Sequence, residues 1–185
     1  MSLRTIVEER SQNLAVMDVF SKLIQERIIF IDGPIDDDLA NGIIAQMIYL
    51  NSLSNTETIN IYINSPGGGV LSGLAIYDIS KLIQAPIRTT CVGMAASMAA
   101  ILMLMGKERC GLKHSRIMLH EVSSGIEGKT KDIESSFNLH KDLEKELCNI
   151  VEENTSVENI KELFKVDKWY TAEEAKSVGL LTKIL

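Results

Sequence analysis

The sequence predicts an α/β domain with a mainly parallel sheet, on three grounds. Short β-branched runs alternate with apolar helical stripes of the length that right-handed crossovers require. Two of those runs end in turns of small residues, Asn64-Ser65-Pro66-Gly67-Gly68-Gly69 and Gly93-Met94-Ala95-Ala96-Ser97, and sheets of this kind gather their chemistry at such carboxyl ends. Of 185 residues, 45% are hydrophobic but only 5% aromatic, which suits one aliphatic core and is short for two domains.

Taken in order, residues 1–13 are polar and aperiodic and predict a mobile N-terminal segment. Residues 14–25, with Leu14, Met17, Phe20, Leu23 and Ile24, approach a helical stripe. Arg27-Ile28-Ile29-Phe30-Ile31 is a strand closed by Asp32-Gly33-Pro34, and Asp36-Asp37-Asp38 caps a helix whose apolar face includes Leu39, Ile43, Met47 and Leu50. Ile59 to Ile63 is the next strand, residues 70–84 a helix, Ile87 to Met94 a third strand, and the Ser97 turn opens a helix ending near Gly106. Two β-like runs follow, around Arg109 to Lys113 and Ser115 to Val122. A glycine-spaced polar stretch leads into a long helix from about Asp132 to Glu153, a rod of roughly 30 Å. Its flank needs cover from the same chain or from a neighbouring subunit. Helices at Val157 to Lys165 and Ala172 to Val178, then a strand from Leu180 to Leu185, complete the domain, with no linker, repeat or low-complexity stretch.

The net charge of −6, without a basic run, argues against nucleic acid as a partner. The most apolar stretch, Val92 to Met105, is interrupted by Ser97 and too short to span a bilayer, so no membrane association is expected. Met1-Ser2-Leu3-Arg4 does not begin a charged-then-apolar leader, and Cys91, Cys110 and Cys148 are odd in number with no metal-ligand spacing. A cytoplasmic protein with reduced thiols and no metal is the expectation.

Ser97 stands on a strand-to-helix turn among residues too small to cover it. There it is either a serine easing a tight glycine–alanine turn or a nucleophile facing the positive end of a helix dipole. A nucleophilic serine needs a base, best a histidine held by a carboxylate. His140 sits mid-helix on a polar face and His114 in a turn, whereas His120 ends the rigid apolar run Ile117-Met118-Leu119, which makes it the best candidate. Several aspartates could complete the set, and neither pattern nor chain order selects one. The glycine loop at 67–69 offers backbone amides with no side chains to block close approach.

These residues carry a resemblance. Tyr62-Ile63-Asn64-Ser65-Pro66-Gly67-Gly68, followed about thirty residues later by Gly93-Met94-Ala95-Ala96-Ser97-Met98-Ala99, resembles the ClpP-type proteolytic subunits of the Clp protease family. Arg27-Ile28-Ile29, Pro34-Ile35-Asp36-Asp37, Ala75-Ile76-Tyr77-Asp78, Arg116 to His120 and Thr171 to Ala175 extend the match from about residue 6 to the end. The resemblance implies a single crotonase-like domain over 1–185, of repeated ββα units with a projecting handle helix, the handle region covering about 123–153. It implies serine peptidase chemistry with Ser97 as nucleophile, His120 as base, Asp167 as orienting carboxylate, and the amides of Gly68 and Met98 as oxyanion hole. Gly125-Ile126-Glu127-Gly128 resembles the family's substrate-aligning strand, which pairs with extended peptides through backbone hydrogen bonds. The implied assembly is a homo-oligomer of two stacked seven-membered rings, or one mixed with a paralogous chain. The implied partners are unfolded polypeptides and an AAA+ unfoldase of the ClpX, ClpA or ClpC kind, docking where Tyr62 and Leu82 contribute. No cofactor is implied, and the chain has no phosphate-binding loop of its own.

The sequence departs from the family where Gln-Pro usually follows the base and Glu121-Val122 stands here, and where a glycine pair is reduced to Ser124-Gly125. Lys165-Val166 replaces the usual acidic residue and arginine before Asp167. The last change suggests a divergent paralogue whose triad forms weakly without a sister subunit or a docked unfoldase. Two alternatives stay open: a non-catalytic ring component, and an acyl-CoA hydratase or isomerase, which uses amides on a thioester oxygen without a serine–histidine pair.

Overall fold

The computed structural model describes residues 5–10, 13–122 and 129–185, with side chains from residue 18 onward. β1 (Thr5–Arg10) and β2 (Asn13–Asp18) pair antiparallel, Thr5 opposite Asp18. α1 (Val19–Gln25) follows, its start capped by the Asp18 carboxylate, which accepts from the amides of Phe20 and Ser21. This corrects two expectations. Residues 5–10 are a strand within the segment predicted to be aperiodic, and the helix predicted over 14–25 begins only at Val19. A helical stripe read over a dozen residues cannot register a partner strand, and that partner decides the conformation here.

In the main, seven-stranded sheet, β3 (Ile28–Asp32), β4 (Ile59–Ser65), β5 (Ile87–Ala96), β6 (Glu108–Gly111) and β9 (Lys183–Ile184) lie side by side and parallel in that order. Two crossovers link the first three strands. α2 (Asp37–Leu53) buries Ala40, Ile43, Met47 and Leu50, spaced three and four residues apart, and α3 (Val70–Leu82) buries Gly73, Ile76, Tyr77 and Ser80. Ile29 and Ile31 on β3 and Ile59, Ile61 and Ile63 on β4 are at most 1% exposed, which makes the aliphatic core continuous across the sheet.

β5 changes partners along its length. Arg88 to Cys91 pair with β6, whereas Met94 to Ala96 pair with β7 (Arg116–Leu119). α4 (Met98–Met103) starts one residue beyond β5, is buried at all six positions, and packs on β4, β5, β7, α3 and α5 (Thr130–Asn154). Only a helix without charged or strongly polar side chains could occupy that centre, and Met-Ala-Ala-Ile-Leu-Met meets the condition.

α5 has 25 residues, about 37 Å of helix, yet it buries only Leu143, Leu147, Cys148 and Val151, all in its second half. Ile133, Phe137 and Leu139 in the first half are 40–49% exposed. α6 (Ile160–Leu163), β8 (Lys168–Thr171) and α7 (Ala172–Ser177) complete the chain. α7 opens with a capping box in which Thr171 and Glu174 satisfy each other's amides. β8 is absent from the sequence-based expectation. It pairs antiparallel with β7, Leu119 opposite Lys168. Cys91, Cys110 and Cys148 are free and buried, and removal from water pushes each thiol above its ordinary pKa. No helix among the described residues is long and apolar enough to cross a membrane.

Two arginines tie loops to the core. Arg109 donates to the carbonyls of Gly106, Asn154, Gly179 and Leu180, joining β6, the end of α5 and the C-terminal segment. Arg27 donates to the carbonyls of Leu50, Ser54, Glu57 and Thr58, closing the C-terminus of α2 with a side chain only 14% exposed. Arg27→Met keeps much of the stem but strands those carbonyls. It is expected to lower the unfolding free energy by about 2–4 kcal/mol. A urea midpoint unchanged at fixed protein concentration contradicts this.

Candidate active site

The site begins with an irregularity in β5. Ile63 of β4 lies opposite Cys91, and Ser65 opposite Ala95, so a two-residue step on β4 spans a four-residue step on β5. The Asn64 carboxamide oxygen accepts the Met94 amide at 3.2 Å and holds the bulged segment to β4. The strand then turns at Ser97, whose φ of 56° and ψ of −125° are strained for an L residue. Its amide donates to the Met118 carbonyl at 2.8 Å, which fastens the turn to β7. Ser97 occupies the N-cap position of α4, but its hydroxyl caps nothing; Oγ lies 2.8 Å from His120 Nε2.

His120 follows the last residue of β7, and Asp167 precedes the first of β8. The register that sets Leu119 opposite Lys168 therefore brings these two side chains together, with His120 Nδ1 3.1 Å from Asp167 Oδ1. With Nδ1–H donating to the carboxylate, Nε2 is left to accept the serine proton. The His120 side chain is 22% exposed and that of Asp167 69%, so the line runs from a sheltered hydroxyl to a solvated carboxylate. Glu121 donates its amide to the Phe164 carbonyl at 2.6 Å, anchoring the chain just past the histidine to the end of α6.

Sequence reasoning links the change at Lys165-Val166 to a weakly formed triad. In the single subunit both distances are within hydrogen-bond reach. Lys165 pairs with Glu162 at 2.7 Å and Val166 is exposed, while Asp167 directly precedes β8, whose pairing with β7 sets it beside His120.

The glycine loop presses against the nucleophile turn. At Gly67, with φ of 93°, a Cβ would stand 2.6 Å from the Ala96 carbonyl oxygen, 2.8 Å from Ser97 Cβ and 3.0 Å from the Met98 nitrogen. No side chain fits there. The Ile35 amide donates to the Gly67 carbonyl at 2.9 Å and its carbonyl accepts from Gly69 at 2.7 Å, a one-residue bridge that fixes the loop on both sides of Gly68. Neither the Gly68 nor the Met98 amide has a partner among the described residues, and both residues line a small pocket with Ser97 and His120. Val70, Ile101, Leu119, Val122, Leu147 and Phe164 form its apolar wall, with Glu121 at the rim.

The other sequence candidates lie elsewhere. His114 is exposed in the turn before β7, and His140 lies on α5 beside a neighbouring groove lined by Val70 and Leu143. Tyr62 stacks on Phe30 at 5.3 Å between ring centroids, and Leu82 at the end of α3 is 76% exposed. The apolar groove nearby is lined by Phe20, Ile24, Ile28, Phe30, Leu39 and Ile43, and within one subunit neither Tyr62 nor Leu82 lines it. Residues 125–128 lie outside the described residues. Among the described residues no group of three His, Cys, Asp or Glu could hold a metal ion. Two contributors escaped the sequence reasoning, Ser65 and Asn64. Both lie inside the quoted Asn-Ser-Pro-Gly-Gly run, and each makes a side-chain bond to a residue about thirty positions away, Ser65 to Gly33 and Asn64 to Met94.

A hydroxyl, an imidazole and a carboxylate in one hydrogen-bonded line, beside two amides without partners on an α/β sheet, are the working parts of a serine hydrolase. Comparison with known proteins narrows the class. The family model described as Clp protease matches residues 10–185. The ATP-dependent Clp protease proteolytic subunit of Bacteroides thetaiotaomicron is 43% identical, over 97% of this chain and 84% of the relative. That of Porphyromonas gingivalis is 43% identical over 98% and 83%, and subunit 1 of Salinibacter ruber 41% over 97% and 79%. The chain belongs to the Clp protease family, and its function is that of a Clp-type serine peptidase. Membership implies an oligomer that works with Clp ATPases.

Gly67→Ala tests the close approach of loop and turn. The added methyl forces the Ser97 turn aside, and covalent labelling of Ser97 by a fluorophosphonate is expected to slow by an order of magnitude or more. Labelling at the wild-type rate contradicts it.

Proposed function

We propose that the chain is an endopeptidase subunit in which Ser97, His120 and Asp167 form the catalytic triad and the amides of Gly68 and Met98 the oxyanion hole. The observation that carries this is the unbroken line from Ser97 Oγ to His120 Nε2 at 2.8 Å and from Nδ1 to Asp167 at 3.1 Å. Ser97 Oγ attacks the scissile carbonyl carbon while His120 Nε2 takes its proton, and the carbonyl oxygen becomes an oxyanion held by the two amides. As that intermediate collapses, the C–N bond breaks and the imidazolium returns the proton to the leaving amine. Water then attacks the acyl-enzyme, His120 accepting its proton, and Ser97 is regenerated with release of the acid. Asp167 keeps the proton on Nδ1 and supports the imidazolium. The apolar wall from Val70 to Phe164 suits an apolar side chain next to the scissile bond.

The substrate in this proposal is an unfolded polypeptide. It is aligned by backbone pairing with residues 125–128 and delivered by an AAA+ unfoldase docking where Tyr62 and Leu82 contribute. The assembly is two stacked seven-membered rings in the cytoplasm. The bare first half of α5, with Ile133, Phe137 and Leu139 exposed, supports a neighbouring subunit as its cover.

Ser97→Ala and His120→Ala are each expected to lower peptide hydrolysis by about 10⁴-fold or more. Asp167→Asn is expected to cost less, about 10²-fold, because a solvated carboxylate interacts with the imidazolium through a high dielectric. Residual turnover near wild type in Ser97→Ala, with the particle intact by light scattering, refutes the nucleophile assignment.

A further inference from the structure

Ser65 is 0% exposed, and its hydroxyl is fully engaged. It donates to the Gly33 carbonyl at 2.6 Å and accepts the Gly67 amide at 3.1 Å. Gly33, with φ of 72°, lies in the turn that ends β3, and its own amide returns to the Asn64 carbonyl at 3.2 Å. One oxygen thus bridges the carboxyl end of β3 to the loop that carries Gly68. Among the described residues no other side chain hydrogen-bonds to the backbone of residues 66–69.

The peptide unit between Gly67 and Gly68 is trans, so its C=O and N–H point in opposite directions. Ile35 N–H holds the Gly67 oxygen on one side. The Gly68 N–H therefore points away from Ile35, into the pocket that Gly68 shares with Ser97 and Met98. Ile35 also accepts the Gly69 amide at 2.7 Å and so holds the loop on both sides of Gly68, but the unit before Gly67 needs a hold of its own, since both glycines sit at positive φ, 93° and 154°, and lack the steric wells that would keep a side-chain-bearing residue in place. The Ser65 hydroxyl supplies that hold.

We propose that Ser65 is a positioning residue for the hydrolysis: by accepting the Gly67 amide and donating to Gly33, it keeps the Gly68 N–H aimed at the oxyanion. It touches neither substrate nor the reacting atoms. The proposal rests on Gly68 belonging to the oxyanion hole. A donor that turns partly away weakens the hold on the transition state more than on the ground state, so the loss falls on kcat rather than KM.

The experiment compares Ser65→Ala with wild type in the assembled particle. Expected is a fall in kcat on the order of ten- to a hundred-fold, with KM within about twofold and a matching loss of affinity for a peptide boronate, which mimics the tetrahedral intermediate. Ser80→Ala is the control, because Ser80 is likewise buried and spends its hydroxyl on one backbone carbonyl, that of Tyr77, away from the site. It is expected to lower thermal stability while leaving kcat unchanged. Wild-type kcat and boronate affinity in Ser65→Ala overturn the proposal, as does an equal fall of kcat in Ser80→Ala. If Ser65→Ala does not assemble, Ser65→Cys decides: the thiol fills the space but bonds weakly, and reduced kcat in an intact particle supports the proposal where wild-type kcat refutes it. The structure of the wild-type boronate adduct tests the underlying assignment separately. A boronate oxygen away from the Gly68 amide removes the oxyanion reading, whereas one on that amide with undiminished turnover in Ser65→Ala removes only the role of Ser65.

Discussion

Ser97 sits in a backbone conformation that an isolated chain avoids, and the surrounding structure is arranged to hold it there. β5 bulges before the turn and is clamped by Asn64; β7 receives the turn's amide at Met118; the glycine loop closes against it from the side. Behind it α4 is buried at all six positions, a rigid stop against which the turn cannot relax. Strain of this kind, of order 1–3 kcal/mol, persists only where neighbours over-determine it. Here the same neighbours supply the groups proposed for catalysis: β7 delivers His120 and the loop delivers Gly68.

The pairing of β7 with β8 does the rest. A histidine one step past one strand and an aspartate one step before its antiparallel partner must meet, because the register admits no other outcome without turning every side chain of β8 to the opposite face. Within one subunit that register, rather than residues 165 and 166, accounts for the meeting of His120 and Asp167.

How much was legible from the sequence follows from the range of each interaction. The turn at Ser97 and the apolar run ending at His120 are local, and both could be picked out as nucleophile and base candidates. Asp167 could not be selected by pattern, since it depends on β8, a four-residue strand whose ladder partner, β7, lies about fifty residues earlier. It came through family resemblance instead. The N-terminal hairpin escaped for the same reason: residues 14–18 carry a spacing that serves helix or strand, and pairing with residues 5–10 settles it. Ser65 was visible as a residue within a turn motif. The role proposed for it draws on a bond to Gly33, 32 positions away, which no periodicity reports.

The three cysteines, each buried in the fold with its thiol pushed up by desolvation, leave the surface without a native thiol ready to react with soft electrophiles. One cysteine placed on the outer half of α5 would then be the sole fast-reacting sulfur. A dye or spin probe attached there would follow subunit encounter in real time without first stripping the native thiols from the core.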